Sequence, residues 1–127
     1  MNKKKFDILI ADNDEQISYL LNFLLTREGY TVKVTSDGKE ALETIDTINA
    51  PKLILLDIIL PHYTGYQIIE HIREKPNWDN VPILMVTAQS SEKDIVKALK
   101  IGANDCMIKP FQPRELISRL KMLTQES

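Results

Sequence analysis

The sequence predicts an α/β protein built on a parallel β-sheet with helices on both faces. Apolar runs and helical stripes alternate five times along 127 residues, which is the pattern of repeated strand–helix units. Three of the runs are nearly continuous isoleucine, leucine and valine, as in strands that are buried on both faces. At this length we expect a single domain, residues 1–127, which either stands alone or is part of a longer protein.

The five predicted strands follow the apolar runs. The second run alternates, with Val32 and Val34 on one side and Thr31 and Lys33 on the other, which predicts an edge strand. The first, third and fourth runs are the continuous ones, and the fifth is the shortest. The predicted strands cover residues 6–11, 30–34, 53–56, 81–86 and 106–108.

The five helices are predicted from apolar residues spaced three and four positions apart. Gly29 and Gly102 mark the ends of the first and fourth helices. Ser91 followed by Asp94 resembles a capping box at the start of the fourth, and Pro113 suits the first position of the fifth. The apolar stripes are Ile17, Leu20, Leu21 and Leu24; Ala41, Leu42 and Ile45; Ile68, Ile69 and Ile72; Ile95, Ala98 and Leu99; and Leu116, Ile117, Leu120 and Leu123.

Composition argues against several classes of protein. The chain is 43% hydrophobic and 27% charged, as is usual for a globular domain, and its net charge of −2 gives no general attraction to nucleic acid or anionic lipid. The single cysteine, Cys106, cannot form an internal disulfide or a thiolate zinc site. The apolar run behind the basic residues 1–5 is too short for a signal peptide, and no run is long enough to span a membrane. We therefore expect a cytoplasmic protein that contacts neither nucleic acid nor membrane directly.

Polar side chains end four of the predicted strands. They are Asp12, Asp57, Thr87 and Lys109. In an open parallel sheet, ligands bind beyond the carboxyl ends of the strands. We therefore expect carboxylates, a hydroxyl and an ammonium group to meet at one rim of the sheet.

Asp57 is the most informative of these residues, because it interrupts an aliphatic run that covers residues 53–60. A charge in such a place is costly unless it is paired, hydrogen-bonded or bound to a metal. One interpretation is an aspartate that caps a loop or the next helix. The other is a carboxylate at the mouth of a site, where aspartate is a known nucleophile towards phosphoryl groups.

Three oxygen-bearing side chains follow one another after the first strand, at Asp12, Asn13 and Asp14. Such ligands suit Mg²⁺, which takes one or two carboxylates together with waters and phosphate oxygens. Asp14 has a second interpretation, as an acid that starts the first helix and is favoured there by the helix dipole.

The chain resembles the receiver domain of two-component response regulators over residues 8–123. Four segments carry the resemblance: residues 8–12 (ILIAD), 57–65 (DIILPHYTG), 86–88 (VTA), and 102–105 (GAND) with 109–111 (KPF). Each is weak alone, but all of them in this order are highly specific. The resemblance implies a flavodoxin-like, doubly wound sheet with strand order 2-1-3-4-5.

The resemblance also implies roles for these residues. Asp57 would accept a phosphoryl group from a histidine kinase or a phosphotransfer domain, and Thr87 would hydrogen-bond a phosphoryl oxygen. Lys109 would pair with Asp57, across a cis Lys109–Pro110 bond. Such a domain is a regulatory phosphoacceptor, not an enzyme, that promotes its own phosphotransfer and a slow autodephosphorylation. Mg²⁺ or Mn²⁺ would be held by Asp12, Asn13, Asp57 and the backbone carbonyl of Ile59, with Asp14 as a further candidate.

The sequence departs from the family pattern at two positions. The family usually has an acid where Asn13 stands, so the predicted metal site loses a negative charge. It usually has tyrosine or phenylalanine where Cys106 stands, so the switch motion of that ring is missing and the output face is expected to respond through the loops and the fourth helix. Ile59 and Gln89 border the expected path of the hydrolytic water, and neither can act as a base.

The expected output face carries charge on the fourth and fifth helices. One interpretation is a solvated surface. The other is a contact with an output partner or a second copy of the chain, through Lys97, Asp105, Glu115 and Arg119.

Two alternatives to a phosphorylated receiver stay open. One is a pseudo-receiver, a binding module that is not phosphorylated because Asn13 weakens the metal site. The other is an enzyme, either a flavin protein or a phosphatase of the aspartyl-phosphate type. Such phosphatases usually have a second aspartate where this chain has Ile59.

Overall fold

The computed structural model describes residues 3–89 and 91–125 as five strand–helix units. None of the helices in these two stretches is both long and apolar enough to cross a membrane. The elements are β1 (Ile8–Ala11), α1 (Glu15–Arg27), β2 (Val32–Thr35), α2 (Gly38–Ile45), β3 (Leu53–Leu56), α3 (Gly65–Glu74), β4 (Ile83–Thr87), α4 (Glu92–Ile101), β5 (Asp105–Ile108) and α5 (Pro113–Thr124).

The strands form one parallel sheet in the order β2-β1-β3-β4-β5. This is the order that the family resemblance implies, and β2 lies at an edge as its alternating pattern predicts. Strands β1, β3 and β4 are buried along their whole length. Their continuous apolar sequence follows from helices that cover both faces of the sheet.

Each face of the sheet supports its own apolar core. One core includes Leu9 and Ile54 of the sheet and side chains from α2, α3 and α4. The other includes Ile10 and Leu55 with side chains from α1 and α5. Alternate residues of one strand point to opposite faces, so neighbouring residues of β1 and of β3 serve different cores.

The first two strands begin later than the sequence predicts. Residues 6–7 and 30–31 precede the ladder. There Asp7 and Thr31 exchange hydrogen bonds between the side chain of one and the backbone N–H of the other, both at 2.9 Å. Strand β2 runs one residue further than expected, because Thr35 still pairs with Ala11 in the ladder. The hydroxyl of the buried Thr35 also donates to the carbonyl of Ile10 at 2.8 Å.

Most of the predicted helix ends are confirmed. Gly29 and Gly102 follow α1 and α4 with φ of 96° and 132°, and Pro113 opens α5. Ser91 caps α4 by accepting from the N–H of Asp94 at 3.2 Å. Its hydroxyl also donates to the Asp94 carboxylate at 2.7 Å, so this carboxylate binds the side chain of the cap and not its backbone N–H.

The guanidinium of Arg73 joins α3 to the connections around β4 and β5. It donates to the carbonyl of Gly102 from two nitrogens, at 3.0 and 2.7 Å, and to the side-chain oxygen of Asn104 at 2.9 Å. A further nitrogen donates to the carbonyls of Asp79 and Val81 at 2.9 and 2.8 Å. A Cβ at Gly102 would lie 2.8 Å from the Arg73 side chain, so the glycine leaves room for the arginine.

Candidate functional site

The register of the sheet brings four strand ends to one rim. Ala11 of β1 lies beside Leu56 of β3, so Asp12 and Asp57 both follow directly after aligned residues. Thr87 of β4 lies beside Ile108 of β5, and Lys109 is the next residue. The backbone N–H of Lys109 donates to the carbonyl of Thr87 at 2.9 Å. The predicted convergence of these four residues is therefore confirmed as geometry.

The ammonium of Lys109 bridges the two aspartates. Its Nζ lies 2.8 Å from the Oδ2 of Asp57 and 2.8 Å from the Oδ2 of Asp12. Only the contact with Asp57 has hydrogen-bond geometry. Burial alone would lower the pKa of Lys109, but the two carboxylates outweigh burial and raise the pKa. The peptide bond between Lys109 and Pro110 is cis, as the resemblance implies.

Asp12 is buried, with an exposed fraction of 3%. Its Oδ1 accepts from the N–H of Asp14 at 2.9 Å, while its Oδ2 has no hydrogen-bond donor among the residues that the structure describes. Burial raises the pKa of the Asp12 carboxyl in spite of the nearby Lys109. An ionised, buried oxygen with an ionic contact but no hydrogen bond is a position where a second cation would be stabilising.

The loop after β3 fixes the carboxylate of Asp57. Its Oδ1 accepts from the N–H of Ile59 at 3.2 Å, and its backbone N–H donates to the carbonyl of Ala11 at 3.0 Å. The N–H of Gly65 donates to the carbonyl of Ile58 at 2.8 Å, and a Cβ at Gly65 would overlap the carbonyl oxygen of Asp57. Asp57 therefore bonds its own loop as well as Lys109, so the loop-capping interpretation describes only half of its contacts.

Asn13 and Asp14 point to different partners. The amide nitrogen of Asn13 donates to the carbonyl of Ser36 at 2.9 Å. That contact leaves the amide oxygen of Asn13 as the end that could face a cation. The carboxylate of Asp14 accepts from the N–H groups of Gln16 and Ile17 at 3.0 and 3.3 Å. These contacts favour the interpretation of Asp14 as the acid that starts α1.

The remaining predicted residues lie at the edge of this group. Thr87 is fully buried, and its hydroxyl oxygen accepts from the N–H of Gln89 at 3.1 Å. The hydroxyl proton of Thr87 is therefore still available to another acceptor. Ile59 has an exposed fraction of 60%, although its N–H is bound to Asp57. A large apolar side chain thus stands in solvent beside the Asp57 carboxylate.

The donor set fits a magnesium ion better than a softer metal. No group of three or more histidine, cysteine, aspartate or glutamate side chains that could hold a metal occurs within residues 3–89 and 91–125. Zinc sites need such a group, whereas Mg²⁺ needs only one or two carboxylates and keeps several waters. Asp12 and Asp57 meet that lower requirement, and the Oδ2 of Asp12 contacts the Lys109 ammonium without a hydrogen bond.

One supporting residue escapes prediction from the sequence. The hydroxyl of Ser18 donates to the carbonyl of Asp12 at 3.2 Å and is buried in the first turns of α1. The only signal is a small polar residue beside the apolar stripe of that helix. Such a position is common on ordinary helices, so the sequence alone does not single it out.

A model of the family described as "Response regulator receiver domain" matches residues 8–121. The chain belongs to this family. Receiver domains are regulatory phosphoacceptor modules and not classical enzymes. The buried Asp12 and Asp57, paired with the half-buried Lys109, are consistent with that chemistry. The expectation of a two-component receiver with a flavodoxin-like fold is confirmed.

Similar proteins agree with this assignment. The receiver is 43% identical, over 127 residues, to the alkaline phosphatase synthesis transcriptional regulatory protein PhoP of Bacillus subtilis (strain 168), and it covers 50% of that protein. It thus spans about half the length of the curated relatives that it matches.

Two solved structures resemble the receiver closely. A two-component response regulator from Clostridium difficile has a TM-score of 0.86 and 29% identity, with 97% of each chain covered. The receiver domain of sensor histidine kinase PA1611 from Pseudomonas aeruginosa PAO1 has a TM-score of 0.85 and 28% identity, with 99% of this chain and 100% of that chain covered. That second structure holds a magnesium ion coordinated in the active site cleft.

The charged residues of the expected output face pair within the receiver itself. Arg119 donates to the Asp105 carboxylate at 2.6 Å and to the Glu115 carboxylate at 3.4 Å. The ammonium of Lys97 lies 4.2 Å from the centre of the Tyr66 ring. Cys106 is half-buried at the position where the family has an aromatic ring, and burial raises the pKa of its thiol.

Proposed function

We propose that this receiver accepts a phosphoryl group on Asp57 and thereby changes its binding to a partner. The observation that carries the proposal is the ammonium of Lys109, which lies 2.8 Å from both Asp57 and Asp12. An ammonium in that place pairs with the Asp57 carboxylate, the proposed nucleophile, and remains beside the phosphoryl oxygens after transfer. The alternative that Asn13 favours is a pseudo-receiver that is not phosphorylated.

The reaction needs little from the protein beyond position and charge. A carboxylate oxygen of Asp57 forms a bond to phosphorus while the bond from phosphorus to the donor nitrogen of a phosphohistidine breaks, and the imidazole leaves. The Lys109 ammonium balances charge on a phosphoryl oxygen, and the free hydroxyl proton of Thr87 supplies a hydrogen bond to another. Incubation with acetyl phosphate and Mg²⁺ followed by intact-mass measurement tests this. A gain of one phosphoryl group supports the proposal, and no gain supports the pseudo-receiver.

Mg²⁺, or Mn²⁺ in its place, belongs to this proposal. Asp12 and Asp57 would hold the ion, with the amide oxygen of Asn13 and the backbone carbonyl of Ile59 as neutral ligands. When bound, the ion neutralises negative charge that develops on the phosphoryl oxygens. The buried Oδ2 of Asp12 supports this assignment, as does the magnesium ion in the structurally similar Pseudomonas receiver.

Replacing Asn13 by aspartate should tighten Mg²⁺ binding about tenfold, because a carboxylate would replace a neutral amide next to the cation. Titration of the purified domain with Mg²⁺, followed by calorimetry, measures the change. Asn80→Asp adds the same charge in an exposed loop and should leave the affinity unchanged. Equal or weaker binding by Asn13→Asp would show that this side chain does not reach the ion.

Replacing Ile59 by asparagine should speed loss of the phosphoryl group several-fold. In this proposal the apolar side chain of Ile59 shields the phosphoryl group on Asp57, because it cannot hydrogen-bond an attacking water, whereas an amide can. Release of inorganic phosphate from the purified phosphoprotein, under saturating Mg²⁺, gives the rate. Leu20→Asn makes a comparable change at an exposed position of α1 and should not alter the rate of phosphate release. An unchanged or lower rate in Ile59→Asn contradicts the shielding role.

The donor is proposed to be a histidine kinase or a phosphotransfer domain, which places the receiver in the cytoplasm, where ATP charges such donors. Helix α1 leaves the loop of Asp12 and carries the exposed rings of Tyr19 and Phe23. These rings line one surface groove with Asn22, Thr26 and Arg27. Because α1 begins directly after the loop of Asp12, we assign this exposed face of the helix to contact with the donor. The charged face with Lys97, Asp105, Glu115 and Arg119 is left for an output partner or a second copy.

A further inference from the structure

Tyr66 lies where the two loops of the site lead into neighbouring helices. It is the second residue of α3 and follows Gly65, whose N–H is bound to the carbonyl of Ile58 at 2.8 Å. Ile58 is the residue after Asp57. The start of α3 is therefore tied, by one hydrogen bond, to the loop that carries the phosphoacceptor.

The side chain of Tyr66 reaches the first turn of α4. Its hydroxyl donates to the carbonyl oxygen of Asp94 at 3.2 Å and lies 3.4 Å from a carboxylate oxygen of the same residue. A phenol has one proton, so it donates to one of these acceptors at a time. The Asp94 carboxylate in turn binds the hydroxyl of Ser91, the cap of α4, at 2.7 Å.

A second contact joins the ring to the same face of α4. The ammonium of Lys97 lies 4.2 Å from the ring centre, close enough for a cation–π interaction. Residues 94 and 97 are three positions apart and so lie on one side of the helix. Tyr66 thus contacts both Asp94 and Lys97 on one side of α4, and Lys97 belongs to the charged output face.

Tyr66 also supplies an aromatic ring to the core cluster that Cys106 of β5 packs against. Tyr66, Cys106 and Ile101 pack against the same core cluster. Burial raises the pKa of the Tyr66 phenol, with further contributions from Asp94 and from the Cys106 thiol. The phenol is therefore protonated and able to donate at neutral pH.

We propose that Tyr66 is a positioning residue that couples the state of Asp57 to the position of the first turn of α4. The inference rests on the proposed phosphorylation of Asp57. A new group on Asp57 must displace the loop around Ile58 or the residues after Thr87, and these lead into α3 and α4 respectively. The hydrogen bond between Tyr66 and Asp94 spans the two helices, so its strength differs between the two arrangements. Such a difference is what coupling between sites requires.

Hydrogen exchange of α4 tests the coupling, with beryllofluoride and Mg²⁺ as the phosphoryl mimic. In the unsubstituted protein, exchange of the amides in the first turn of α4 should change several-fold when beryllofluoride is added. Tyr66→Phe keeps the ring and its contact with Lys97 but removes the hydroxyl. In Tyr66→Phe, the change in exchange caused by beryllofluoride should fall to less than half. The melting temperature should stay within a few degrees of that of the unsubstituted protein.

Tyr63→Phe is the matched control, because it removes the hydroxyl of an exposed tyrosine three residues away. It should keep the full response of α4. A full response in Tyr66→Phe would overturn the inference, as would an α4 that does not respond in the unsubstituted protein. Failure of the proposed function would be seen in a separate measurement, as no gain of phosphoryl mass from acetyl phosphate. The proposed coupling through Tyr66 would then be wrong as well.

Discussion

Asp57→Asn should abolish phosphorylation of the receiver. An amide nitrogen or oxygen is a far weaker nucleophile towards phosphorus than a carboxylate, and Asp57 is the acid whose carboxylate pairs with the Lys109 ammonium at the rim. After incubation with acetyl phosphate and Mg²⁺, the intact mass of the unsubstituted protein should rise by one phosphoryl group. The mass of Asp57→Asn, and of Asp57→Ala, should stay unchanged.

Asp79→Asn is the matched control, because it makes the same change at an exposed aspartate that is not one of the site residues. It should be phosphorylated like the unsubstituted protein. A gain of mass that persists in both Asp57 variants at the same stoichiometry would identify another acceptor. Peptide mapping of the modified protein would then locate it.

Arg73→Met should lower the free energy of unfolding by about 3 kcal/mol, the upper part of the usual range for point substitutions. The variant keeps a long side chain but removes every donor that now binds the carbonyls of Asp79, Val81 and Gly102. Carbonyls that lose such donors while partly buried each cost about 1–3 kcal/mol, and water recovers some of this. Urea denaturation, followed by circular dichroism, gives the change.

Arg114→Met controls for the removal of a positive charge, because Arg114 is exposed on the first turn of α5. Its stability should stay within about 0.5 kcal/mol of the unsubstituted protein. Arg73→Lys separates charge from geometry, since an ammonium cannot reach carbonyls on several connections at once. If Arg73→Lys is as stable as the unsubstituted protein, the hydrogen bonds of the Arg73 guanidinium to these carbonyls contribute little to stability.

The fold could be predicted because its strongest signals are apolar. Strands β1, β3 and β4 are buried on both faces, so each is a nearly continuous aliphatic run. The errors occur where polar side chains decide the boundary. The sequence predicts Thr35 as a loop residue, but it is the buried end of β2. Strand β4 begins two residues later than predicted, at Ile83, whose N–H donates to the side chain of Asn104 at 2.8 Å.

The centre of the site was predictable for a geometric reason. Parallel strands place their carboxyl ends at one rim, so polar residues after β1, β3 and β5 had to meet there. The surroundings were not predictable, because most of the partners are backbone groups. The carbonyl of Ser36 that binds Asn13 and the carbonyl of Gly102 that binds Arg73 carry no residue-type signal. For an arginine on a helix such as α3, the sequence predicts only an ordinary solvated side chain.

The parallel strand order also determines when the site forms during folding. No two neighbouring strands can pair as a hairpin, since each pairing must enclose at least one helix. The pairing of β1 with β3 joins Ile8 to Leu53, 45 positions away, whereas β3 with β4 joins residues 29 positions apart and β4 with β5 joins residues 21 positions apart. Because a longer loop costs more entropy to close, we expect β3, β4 and β5 to associate before β1 pairs with β3. Asp57 and Lys109 would then meet first, and Asp12 would join a carboxylate that already faces its ammonium. A chain that stops before β5 would carry Asp57 without this cation.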